Sequence, residues 1–316
     1  ISAAKTPEPI EKGILRVKHD VFVFRDGTCR YDATEIPITH FVPNEIGLSV
    51  EQVKKLGYSK DYKGKTIESE AQTIEMFPQD VILSHHASDY LLRLTRFVDD
   101  LLIYYYNLPP YYNCKTPTDI VGKTVIALAP HTSAGIVARV IGFTDVQAIL
   151  AHPYLHCACR RNTDGDELGI ILLMDAFLNF SKKFLPETRG GKMDAPLVLT
   201  TILDTREVDD EAHALAACFE YPLEFYQACQ RFASPSEVKM DILGKRLGTP
   251  EQYVNIGFTH SASINCPTVT SYVQLKNMAK KVETELELMS KIRAVDASNA
   301  AQRIINSHFF PDLYGN

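Results

Sequence analysis

The chain has 316 residues, 45% hydrophobic and 23% charged, with a net charge of −6. That suits a globular protein of about two domains with a substantial core. Any nucleic-acid-binding surface must then be local or supplied by a partner, and, since no apolar run reaches about 18–20 residues, a bilayer-spanning helix is excluded. The start, ISAAKTPEPIEKG, lacks the basic-then-apolar order of a signal peptide and an initiator Met, so a fragment or processed piece is expected. The seven cysteines are scattered without CxxC, which points to free, mostly buried thiols in a reducing compartment, here the cytoplasm.

Taken in chain order, residues 1–40 read as short strands and turns. VFVFRDGTCRYDA gives a hairpin about Asp26-Gly27. Ser49 caps a short helix, VEQVKKLG, that ends at Gly57. Leu91, Leu94, Val98, Leu101 and Tyr105 mark an amphipathic helix from Asp89 to about Tyr106, stopped by Pro109-Pro110. YYNCKTPTD then reads as a boundary or long loop. TVIAL (124–128) is a buried strand, and IVARVIGF and HPYLHCACRR follow, the latter read as extended. LGIILLMDAFLNFSKKFLP, apolar on most faces, predicts a helix buried in the interior. LVLTTIL is another buried strand. Residues 206–316 read as mostly helical, with the longest helix at about 271–293. The expected domains are 1–110 (flanking strands and helices), 111–205 (catalytic segment) and 206–316 (helical).

The residues with chemical potential cluster in RRNTDGDE (160–167). Asn162, Asp164 and Asp166 alternate, so in an extended loop their side chains share one side, and Gly165 permits a tight turn. Three oxygen donors so spaced can converge on a hard cation such as Mg²⁺. An EF-hand frame fails, because its glycine would fall at Glu167 and its bidentate glutamate at Leu173. On these residues alone a solvated turn and a metal site are equally good readings. Arg160 and Arg161 could meet phosphates or pair with the aspartates.

APHTSAG (129–135) follows a strand and could cradle a phosphate through Thr132, Ser133 and Gly135, or serve only as a helix cap; it is not a P-loop. TRGGKM (188–193) offers Arg189, two glycines and Lys192 for phosphate, or is a solvated loop. His152, His156, Cys157 and Cys159 have no standard zinc spacing, and buried thiols are the better reading. Asp175 and Asn179 sit four apart in an apolar helix, where a bracing role is expected. Ser-His-Asp elbow, GxGxxG and HExxH patterns do not occur, which leaves hydrolase and dehydrogenase readings without support.

Three blocks, APHTSAGIVARVIGF, AHPYLHCACRRNTDGDE and LLMDAFLNFSKKFLPETRGGKMDAPLVLT, resemble the large catalytic subunit of archaeal family D DNA polymerase. ITHFVPNEIGLSVEQVKKLGY, FPQDVIL, KIRAVD and NSHFFPDLYGN extend the resemblance over nearly the whole chain. It implies an α+β fold on a double-psi β-barrel of the RNA-polymerase type, with flanking helical segments. It implies Mg²⁺-dependent nucleotidyl transfer from dNTP to a primer 3′-hydroxyl, using two ions, with Mn²⁺ able to substitute.

The resemblance assigns Asn162, Asp164 and Asp166 to catalysis and metal binding. Arg160, Arg161, His131, Thr132, Arg189 and Lys192 become nucleic-acid or triphosphate contacts. Implied partners are primer-template DNA, dNTP, the small exonuclease subunit and a sliding clamp. Cys159 stands where the family would have lysine, and Thr163 where cysteine is more usual. A first barrel before Ile1 and zinc-bearing modules after Asn316 are also expected, so the fragment would be inactive alone. The competing readings are an RNA polymerase-like barrel and a non-catalytic scaffold module.

Overall fold

The computed structural model describes residues 9–24, 27–179, 194–257, 263–265 and 274–311. By internal contacts the chain forms two units, Ile1–Cys266 and Pro267–Asn316. The first is a mixed α+β body. Its sheet uses seven strands: β1 (Arg30–Pro37), β4 (Asp80–Ser84), β5 (Thr124–Leu128), β6 (Ala134–Thr144), β7 (Ala148–Ala151), β8 (Glu167–Leu172) and β9 (Val198–Thr200). The short strands β2 (His40–Phe41) and β3 (Ile74–Glu75) pair separately. The spatial order is β4-β7-β1-β8-β5-β6-β9, and β4 also pairs with β6, so the pairings of six strands return on themselves. Parallel pairs (β1 with β7, β4 with β6, β6 with β9) mix with antiparallel ones. Two of these strands, β1 and β4, come from before residue 111.

The closure between β4 and β6 carries a buried polar knot. Asp80 and Arg139 are register partners and form a bidentate ion pair (2.8 and 2.7 Å), while Tyr58 Oη donates to Asp80 at 2.5 Å. Against the sheet packs α3 (His85–Tyr104), which buries Leu91, Leu94, Phe97, Val98 and Leu101. The spacing had predicted this helix, and the Ser84 hydroxyl caps it. Within it Asp99 accepts the amides of Tyr111, Tyr112 and Asn113 at 2.7–2.8 Å, so YYNCKTPTD is a loop tied back to the helix. Helix α2 (Val50–Lys55) begins, as expected, at Ser49, in a capping box with Gln52.

Several local expectations are corrected. Residues Ile10–His19 form a helix, α1, rather than strands; Glu11 in its first turn and Arg16, Lys18 and His19 in its last suit the helix dipole. The expected hairpin turn at Asp26-Gly27 falls partly outside the described residues; among those described, Phe24 N–H donates to Thr28 O at 2.8 Å and β1 pairs with β7 and β8. HPYLHC is a helix, α4 (Pro153–Ala158), started by Pro153 and by His152 Nδ1 accepting the Tyr154 amide at 3.0 Å. The apolar run after Glu167 divides into strand β8 and a one-sided helix, α5 (Leu173–Asn179); an unbroken apolar run carries no period to separate the two. LVLTTIL gives only β9, at the sheet's edge, with Val198 63% exposed.

The bracing role of Asp175 and Asn179 holds. Asp175 accepts the Cys29 amide at 2.7 Å, and Asn179 accepts from the buried Lys12 Nζ at 2.6 Å, which ties α5 to α1 and β1. After β9 come α6 (Asp210–His213), α7 (Leu223–Gln230) and single 3-10 turns, shorter pieces than expected. The second unit holds α8 (Met278–Ser290) and α9 (Ala297–Ile304). Among the described residues no helix is long and apolar enough to cross a membrane.

None of the six described cysteines is in a disulfide. Cys29, Cys114, Cys157 and Cys159 are buried, and burial holds the Cys157 thiol up to about 12 and that of Cys159 higher still. The thiolate is the reactive form. In native protein, therefore, an alkylating reagent followed by mass spectrometry should mark exposed Cys229 first and leave these four unmodified until denaturant is added. Early labelling of Cys157 or Cys159 would contradict this packing.

Candidate active site

RRNTDGDE enters β8 beside the end of β5 and the middle of β1. Strand β8 runs antiparallel to both neighbours, with Thr34 of β1 opposite Glu167 and Leu128 of β5 opposite Gly169. The N-terminal end of β8, which the acidic turn enters, therefore lies beside the C-terminal end of β5. The PHTS loop leaves from that same end. Arg161 joins the two loops: its Nη2 donates to Pro130 O at 3.1 Å, and its Nη1 lies 3.5 Å from Asp166 Oδ2.

The turn is shaped by its glycine and by β1. Gly165 has φ +104°, a conformation L side chains rarely adopt. The Glu35 amide donates to Asp166 O at 2.8 Å, extending the β1–β8 ladder by one bond. The Thr34 hydroxyl donates to Gly165 O, and the Gly165 amide donates to Glu35 Oε1 at 3.2 Å. Asn162 and Asp164 remain exposed and Asp166 half-exposed. Exposed oxygens on a fixed turn match what a hard cation with open positions needs. Among the described residues no three His, Cys, Asp or Glu side chains group to hold a metal.

Beneath the turn, Glu35 and His156 are both fully buried, with Oε2 and Nδ1 3.1 Å apart. Burial lifts Glu35 to about 7, the charges of Asp164 and Asp166 acting in the same direction. Burial lowers His156 to about 4. His156 Nε2 faces Ile36 O at 3.3 Å and is best used as the donor there. Both shifts favour the neutral form of each group, and although Oε2 and Nδ1 lie 3.1 Å apart, no hydrogen bond joins them.

His131 (φ +60°) is exposed, and its amide donates to Asp194 Oδ1 at 2.7 Å. Thr132 Oγ1 bonds back to Ala129 O at 2.7 Å, within its own loop. A Cβ at Gly135 would sit 2.5 Å from Ile126 Cγ2, so that glycine serves packing of β6 on β5. Arg160 is exposed with φ +60°. Arg189 and Lys192 lie outside the described residues. Cys159 turns into the core toward Ala127 O and does not meet the acidic turn.

A cavity of about 450 Å³ opens beside the turn, lined by Val23, Phe24, Arg30, Pro130, His131, Glu167 and Asp194. Arg30, nearly buried, stacks on the Phe24 ring at 3.4 Å and lies 3.1 Å from Asp32 and 3.8 Å from Asp194. Sequence reasoning missed Arg30, Thr34, Glu35 and Asp194. They lie far from 160–167 in the chain, and only strand pairing brings them near.

His152 gives a pH prediction. Burial lowers it to about 3. Its unfolded value is near 6.5, so the unfolded chain takes up the proton first, and stability is lost as pH falls from about 6.5 toward 3. Glu35 acts oppositely and offsets His156 between pH 7 and 4.5. His152→Asn keeps a cap for the Tyr154 amide and removes the titration. The fall in stability from pH 6 to 4 should then flatten by about 1.4 kcal/mol per pH unit, read from denaturant midpoints. An unchanged slope would count against a buried neutral His152.

Fold and site together define a mixed α+β domain bearing an acidic glycine turn at one end of its sheet. The chain belongs to the archaeal family D DNA polymerase large-subunit family: the model "DNA polymerase II large subunit DP2, catalytic domain" matches residues 1–281. It is 53% identical over its whole length to the DNA polymerase II large subunit of Methanocella arvoryzae and 53% to that of Archaeoglobus fulgidus. Identity to the Pyrococcus furiosus subunit is 54%. The chain spans 28%, 28% and 25% of those relatives.

Proposed function

We propose that this chain supplies the metal-binding acidic turn of a DNA-directed DNA polymerase, transferring a nucleotidyl group from dNTP to a primer 3′-hydroxyl. The observation that carries this is the Asn162/Asp164/Asp166 turn, fixed by Thr34 and Glu35 of β1 at the start of β8, in a chain matched by a polymerase catalytic-domain model. Asp164 and Asp166 would hold Mg²⁺ directly, and Asn162 would be a weaker ligand or orient a water. Two bound Mg²⁺ ions supply charge neutralisation for the attacking and leaving oxygens. The chain's own residues do the positioning. Arg161 holds the turn against the PHTS loop, and exposed Arg160 presents a cation to the nucleic acid or triphosphate. His131, on the wall of the cavity beside Glu167, is placed to meet the nucleotide, with Thr132 shaping its loop. Arg189 and Lys192 are retained as phosphate contacts on the family resemblance alone.

The returning β4–β6 pairing supports the double-psi barrel reading of the sheet. Net charge −6 is compatible with DNA binding, because a local basic strip suffices. In this reading the small exonuclease subunit and a sliding clamp are partners, and the remaining three-quarters of the large subunit completes the active site.

The test is primer extension by the assembled polymerase. Extension should require dNTP and Mg²⁺ (or Mn²⁺), stop with chelator, and be poor with ribonucleotides. Chelator-resistant extension, or a preference for ribonucleotides, would overturn the proposal.

A further inference from the structure

We propose that Thr34 and Glu35 of β1 are positioning residues for the acidic turn, setting where Asp164 and Asp166 present their carboxylates. The proposal rests on the reading of that turn as the polymerase metal site. Two adjacent side chains hold both polar groups of Gly165: the Thr34 hydroxyl donates to its carbonyl, and its amide donates to Glu35 Oε1 at 3.2 Å. The Glu35 amide fixes the next carbonyl, that of Asp166, at 2.8 Å. The peptide groups between the two aspartates are therefore gripped from one strand. Glu35 is in turn fixed, because its second oxygen lies 3.1 Å from His156 Nδ1 and the far side of that ring faces Ile36 O.

Core packing alone would not select these residues. Glu35 is 0% exposed, and an apolar side chain there would avoid burying a carboxyl. What the carboxyl adds is an acceptor for a glycine amide that lies between two aspartates. Outer residues that orient metal ligands commonly change metal affinity or activity by about 10–100-fold when removed.

The experiment uses the full-length large subunit assembled with its small subunit, and compares Thr34→Val, Glu35→Gln and Glu35→Leu with the parent and with Asp164→Asn. It reads the Mg²⁺ concentration for half-maximal extension, kcat, and the KM for primer-template. Glu35→Leu should raise the Mg²⁺ requirement and lower kcat, each about tenfold, with primer-template KM unchanged. Glu35→Gln keeps the shape of the side chain and an acceptor for the Gly165 amide, and should stay within about threefold of the parent. Thr34→Val, nearly the same shape, should shift Mg²⁺ dependence in the same direction as Leu, and it decides the matter if Glu35→Leu does not fold.

Three results would overturn the inference: parent-like Mg²⁺ dependence in both Glu35→Leu and Thr34→Val, an equal loss in Glu35→Gln, or a change confined to primer-template KM. If Asp164→Asn is dead while the β1 variants are normal, only the positioning role fails. If Asp164→Asn itself extends primers like the parent, the reading of the turn as a metal site fails.

Discussion

Asp164→Asn and Asp166→Asn should each lower primer extension by the assembled polymerase by at least about 1000-fold, some 4 kcal/mol of barrier. An asparagine keeps the size and one oxygen of each side chain but removes the negative charge. In the proposed role that charge would hold the divalent ion, and among the described residues no three His, Cys, Asp or Glu side chains group to replace it. The two substitutions should differ in structure. Asp166 pairs with Arg161 at 3.5 Å, so Asp166→Asn also loosens the join between the two loops. Asp164 is exposed, and Asp164→Asn should leave the thermal midpoint unchanged. Asn162→Ala, which removes a weaker donor, should cost less, about 10–100-fold. Parent-like extension by both aspartate variants would remove the catalytic assignment.

The second large effect concerns stability. Asp80→Ala should destabilise the first unit by about 3 kcal/mol, lowering its melting temperature by roughly 5–10 °C. Asp80 is 3% exposed and takes three hydrogen bonds, two from Arg139 across the β4–β6 pairing and one from Tyr58. Its loss leaves the Tyr58 hydroxyl and the Arg139 guanidinium without their carboxylate at the point where the strand pairings close. Arg139 keeps Leu56 O at 2.8 Å and is partly solvated, which holds the cost below that of a fully buried pair. A melting temperature within about 1 °C of the parent would show that this knot does not hold the sheet together.

What could be read from the sequence follows from how local each signal is. The acidic turn was legible because its donors and its glycine lie within five residues. Helix α3 was legible because five apolar positions keep a helical period, and α2 because Ser49 and Gln52 form a local cap. Helix α1 escaped because it is short, contains Gly13, and exposes Ile10, Ile14 and Val17 while burying Lys12. The run LGIILLMD escaped because a strand buried on both faces and a buried helix look alike in composition. Glu35 and Thr34 carried no local signal; their meaning comes from β1 lying beside β8, a pairing across more than 130 residues. Arg189 and Lys192 fall outside the described residues, so their place beside the turn remains part of the proposal.

The most direct test is the position of the ion. Crystals of the assembled polymerase soaked in Mn²⁺, with anomalous diffraction, should show density bridging the carboxylates of Asp164 and Asp166, and that density should vanish in Asp164→Asn. Density elsewhere, with both carboxylates free in an enzyme that extends primers, would contradict the account.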